Sequence, residues 1–126
     1  MKNMYILAIL CLILLGCSSS DSEIPNDIQI RISNVSEFDF ENIKVSTTGD
    51  IVNFGNLTSN AKSEFIIFEA AYRYAFVEFQ IGSETFTFQP IDYVGETLLS
   101  NGKYSYEINV NPDSEFQKVI LELRNE

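Results

Sequence analysis

After residue 26 the chain is written in short runs of alternating apolar and polar residues. Over 27–35, Ile28, Ile30 and Ile32 fall on one side, and Gln29, Arg31 and Ser33 on the other. A period of two marks a half-buried strand. Residues 34–41 break the rhythm and turn a corner, and 42–47 resume it with Ile43 and Val45. Thr48-Gly49-Asp50 is a turn signal, 51–54 a short strand, and Gly55-Asn56 a second turn. Residues 62–69 read as a strand whose continuous Phe65-Ile66-Ile67-Phe68 implies burial on both faces or a bulge. The stretch 72–81 is expected to be the longest strand, with Ala75, Val77, Phe79 and Ile81 on one face and Tyr72, Tyr74 and Phe76 on the other. Gly82-Ser83 fits a two-residue hairpin turn into 84–91, with Phe86 and Phe88 inward. Pro90 lacks an N–H and ends that strand or places it at an edge. Residues 92–102 are not periodic. Residues 103–110 alternate through Tyr104, Tyr106, Ile108 and Val110. Asn111-Pro112-Asp113-Ser114 turns the chain into 116–124, where Val119, Leu121 and Leu123 alternate and Ile120 is the exception.

The pattern before residue 27 is different. Lys2 is followed by an unbroken apolar run from Met4 to Leu15. Twelve residues rise only about 18 Å as a helix, short of the roughly 30 Å hydrocarbon core. A signal-peptide helix fits that length, and a permanent span does not. The run closes on Leu14-Leu15-Gly16-Cys17, which resembles the lipobox of bacterial lipoproteins. The resemblance implies cleavage before Cys17, a diacylglycerol thioether on its sulfur and a further acyl chain, such as palmitate, on its freed amine. One chain binds a bilayer only reversibly, whereas two or three make a stable anchor. Ser18-Ser19-Ser20-Asp21-Ser22-Glu23 then reads as a flexible tether. Its serine-rich, then acidic order resembles the tether of surface lipoproteins in Bacteroidetes-type bacteria. The absence of Asp directly after Cys17 is the pattern of outer-membrane sorting. Ile32-Ser33-Asn34-Val35 and Gly102-Lys103-Tyr104-Ser105-Tyr106 extend the likeness to small lipoproteins of that type. The group implies an envelope location and no particular activity.

Three segments follow: a signal peptide over 1–16, an acylated cysteine with its tether over 17–26, and a β domain over 27–126. The expected class is all-β, an antiparallel β-sandwich of seven or eight strands, immunoglobulin-like or transthyretin-like, with a small barrel as the second architecture. One hundred and ten residues after cleavage suffice for one domain with its own core.

Charge and cysteine count then narrow the function. Lys2 is the one charged residue of the leader, so the mature chain carries seven basic against eighteen acidic residues, a net of −11. That opposes nucleic acid and anionic lipid head groups, which need a basic face. With Cys11 in the leader and Cys17 acylated, no disulfide can form, and packing alone must hold the domain. The chain has no His, which removes the commonest general base and metal ligand. The expectation is a non-enzymatic binding, adhesion or scaffold module without a cofactor, bound to a membrane through its lipid and meeting an envelope protein or a glycan. A carbohydrate- or calcium-binding module is the alternative, and a carboxylate hydrolase the remotest.

The candidate contacts are few. Tyr72, Tyr74 and Phe76, with Arg73 beside them, form either an aromatic platform or a second buried face. Tyr93 lies in the long loop between Asp92 and Glu96. Glu37, Asp39 and Glu41 alternate with Phe38 and Phe40. They are either solvated acids on an edge strand or a few of the six to eight oxygens that calcium takes. Asn34-Val35-Ser36 and Asn56-Leu57-Thr58 match the glycosylation pattern by chance.

Overall fold

A computed structural model describes residues 27–90 and 97–126. The expected leader, Cys17, the tether and Tyr93 lie outside these. The eight strands are β1 (Ile28–Asn34), β2 (Phe40–Ser46), β3 (Val52–Leu57), β4 (Ile66–Phe68), β5 (Phe76–Ile81), β6 (Glu84–Phe88), β7 (Gly102–Val110) and β8 (Val119–Asn125). Two four-stranded sheets run β4-β1-β7-β8 and β3-β2-β5-β6. Every pairing is antiparallel except β1 with β7, which run parallel from Ile28 beside Gly102 to Asn34 beside Ile108. The immunoglobulin arrangement keeps its first two strands in one sheet. Here β1 and β2 lie in opposite sheets, and the order lettered along the chain is D-A-G-H against C-B-E-F. That is the transthyretin-like member of the expected pair, and the two separate sheets set the barrel aside.

The core sits between the sheets, where the alternation puts it. Ile30, Ile32, Tyr106 and Ile108 of one sheet face Phe40, Ile43, Val45, Val77 and Phe79 of the other, all fully buried. The rings of Phe40 and Phe79 stack with centroids 4.0 Å apart, and Phe86 extends the stack from β6. The described residues contain no cysteine, so these contacts carry the stability, and truncating a ring such as Phe79 to alanine costs about 3–5 kcal/mol.

Four local expectations need correction. Gly55-Asn56 is not a turn: β3 runs through it, and Gly55 takes φ 74° inside a bulge. Residues 62–69 form only a three-residue β4, preceded by one isolated pairing of Ser33 with Lys62. Phe65 and Ile67 are not core residues. Ile67 is 61% exposed, and Phe65 lies under the cations of Arg31 and Lys103 at 4.6 and 5.4 Å. The stretch 72–81 yields the six-residue β5, so β7 is the longest strand. Phe116 precedes β8 rather than opening it, and Ile120 breaks the apolar alternation because it points outward, 38% exposed.

Candidate binding cleft

β6 and β8 are outer strands of opposite sheets on the same side of the sandwich. Lys118, just before β8, reaches Glu84 of β6 at 3.6 Å. A cleft of about 530 Å³ opens beside this ion pair, between the end of β6 and the start of β8. Its apolar walls are Tyr74, Phe88, Pro90, Phe116 and Val119, and its polar rim is Thr87, Gln89, Gln117 and Lys118. Among the described residues the two exposed aromatic side chains are Tyr74, at 41%, and Phe116, at 98%. Both line this cleft.

Tyr74 is exposed because its backbone is diverted from β5. The Thr47 hydroxyl, at the end of β2, accepts from the Tyr72 N–H at 2.9 Å and donates to the Tyr74 carbonyl at 3.1 Å. From the other sheet, the Tyr106 hydroxyl donates to the Tyr72 carbonyl. The Leu99 N–H donates to the Ala71 carbonyl at 2.8 Å. Ala71 and Ala75 are small enough to be buried completely, so the segment lies close against the core. Tyr74 is thereby turned out over Phe88, with ring centroids 6.4 Å apart.

Phe116 is placed by the turn before β8. The Asn111 N–H donates to the Lys118 carbonyl at 2.7 Å, the Ser114 N–H to the Asn111 carbonyl at 3.2 Å, and the Gln117 N–H to the Ser114 hydroxyl at 3.1 Å. The backbone on either side is fixed while the ring stands in solvent. Beyond Tyr74 a smaller hollow of about 320 Å³ continues along β8, with Arg73, Leu121 and Leu123 in its wall.

The sequence candidates therefore separate. Tyr74 lines the cleft, while Tyr72 is half-buried and serves the fold through its backbone. Glu37, Asp39 and Glu41 are exposed, and Asp39 accepts from the Ser59 N–H at 2.9 Å. Among the described residues no group of three metal-ligating side chains comes together to hold an ion. Phe88, Pro90 and Phe116 are the contacts that sequence reasoning missed. The available signal was Phe116 itself, a large ring in a stretch of turn residues with no place in the core.

A second polar cluster lies on the outer face of the β4-β1-β7-β8 sheet. Arg31 of β1 donates through Nε and a terminal nitrogen to both carboxylate oxygens of Glu126, at 3.0 and 2.5 Å. This hydrogen bonding holds the Glu126 carboxyl below its ordinary value of 4.5. The Glu126 N–H also donates to the Lys103 carbonyl. The cluster ties the end of β8 across β7 to β1.

Two facing sheets in this strand order define a β-sandwich whose open edge carries an aromatic cleft. A solved NMR structure of a protein from Eubacterium rectale is similar, with a TM-score of 0.55 and 21% identity over 76% of this chain and 88% of that one. At that identity the likeness concerns the fold. No protein-family model and no curated protein matches the chain.

Proposed function

We propose that this chain is a lipid-anchored, non-enzymatic binding module of the bacterial cell envelope, with the cleft between β6 and β8 as its working face. The carrying observation is that both exposed aromatic side chains of the described residues, Tyr74 and Phe116, converge on one cavity. Exposed apolar groups that converge on one concave site and are rimmed by polar ones are what binding surfaces present. The lipobox-like Leu14–Cys17 supports the anchor. The ten residues 17–26 span about 35 Å when extended, enough to hold the sandwich clear of a bilayer. Under this reading the outer membrane is the expected site, and the acidic balance of the mature chain keeps the module from adhering to anionic head groups.

The test is made in the producing cell. A photo-reactive phenylalanine analogue replaces Gln117 at the rim of the cleft, or Asp50 in the distant β2–β3 turn. The expected result is a light-dependent adduct from position 117 and none from position 50. Equal labelling from both, or none from either, contradicts a working face at this edge.

A further inference from the structure

We infer that the ligand of this cleft is a neutral glycan, an inference that rests on the binding-module reading above and specifies its ligand class. Three features of the site point to it. First, Tyr74 and Phe116 offer open ring faces, with Phe88 and Pro90 behind them. A pyranose ring has an apolar C–H face that stacks on such a surface and a rim of hydroxyls that does not. Second, the polar rim is made of hydroxyl and carboxamide groups from Thr87, Gln89 and Gln117. Among the described residues these three side chains make no hydrogen bond of their own. A carboxamide both donates and accepts, which matches a sugar hydroxyl that does the same. Third, the rim offers no spare charge. The Lys118 ammonium is already 3.6 Å from the Glu84 carboxylate. An anionic polysaccharide would meet one compensated lysine on a mature chain of net charge −11.

The cavity of about 530 Å³ lies within the span of about 300–1,000 Å³ typical of small-ligand sites. A peptide strand could add to β6 or β8, the outer strands among the described residues, read through backbone groups. Such a strand leaves the exposed faces of Tyr74 and Phe116 unexplained, and the glycan uses them.

The experiment is titration calorimetry on the full-length protein in detergent, with maltohexaose, cellohexaose, xylohexaose and laminarihexaose as probes. At least one is expected to bind. Its affinity should change little between low and high salt, because no ion pair forms. Tyr74→Ala and Phe116→Ala should each weaken it by about tenfold, since buried aromatic contacts dominate such sites. The Phe116 side chain is 98% exposed, so the thermal midpoint should hold in Phe116→Ala. No binding of any of the four, a steep salt dependence, or full affinity in both variants overturns the inference. If the sugars fail while light-dependent adducts still form from position 117, the ligand class is wrong and the binding face stands. If both fail, both readings fall together.

Discussion

At the scale of single residues, Asn34 does more than any other polar side chain in the core. It is fully buried at the end of β1. Its amide nitrogen donates to the carbonyls of Phe38, Leu57 and Thr58 at 2.7, 3.1 and 3.2 Å. Its oxygen accepts from the N–H and the hydroxyl of Ser36 at 3.0 and 2.7 Å. One carboxamide thus closes the 34–38 corner and docks the end of β3 against it. Asn34→Leu fits the volume but strips these groups of partners. Each buried group left unpaired costs about 1–3 kcal/mol, so urea denaturation should show a loss of about 3 kcal/mol or more. A loss below about 1 kcal/mol would mean that the corner is held by other contacts. The same burial removes Asn34 as a glycosylation acceptor. The inward residues of β1, β5 and β7 were legible from their alternation, because a period of two has one meaning on a pleated strand. The role of Asn34 was not legible, because its acceptors come from residues up to 24 positions away.

At the scale of elements, the sequence marked where strands lie better than where they stop. The break in rhythm between Phe38 and Phe40 on one side and Ile43 and Val45 on the other is a bulge. Asn42 takes φ 53°, and both neighbouring strands shift register there. The extra residue lets Phe40 and Ile43 face inward together although they are an odd number of residues apart. The four residues before β5 have the composition of a strand, but hydrogen bonds from Thr47 and Tyr106 draw them away. Those partners lie in other strands, beyond the reach of a local pattern. The end of β8 offers a test that pH can read. Arg31 holds the Glu126 carboxyl below its ordinary value, so the pair stabilises fully above 4.5 and is lost as pH falls through the lowered folded value. The pair is partly exposed and contributes under about 1 kcal/mol. The urea midpoint of wild type should exceed that of Glu126→Gln by a constant margin from about pH 7 to about pH 5, and the margin should close in stronger acid. A margin that widens as the solution is acidified would contradict this pairing.

At the scale of the whole molecule, the sandwich and its cleft have different origins. The sandwich follows from alternation, and its two sheets bury their apolar faces without a disulfide. The cleft exists because two strand edges from opposite sheets meet on one side, which no linear pattern announces. Of the candidate contacts, Tyr74 was legible as an aromatic but not as an exposed one, because its turn outward depends on Thr47 and Tyr106, and Phe116 became meaningful only beside it. The location proposed for the molecule depends on Cys17 alone. Intact-mass spectrometry of the protein isolated from its native envelope is the most direct test of that central claim. The expected mass is that of a chain beginning at Cys17 and heavier than its residues by a diacylglycerol thioether and an acyl group. A chain that retains residues 1–16, or one with a free thiol at Cys17, would contradict it.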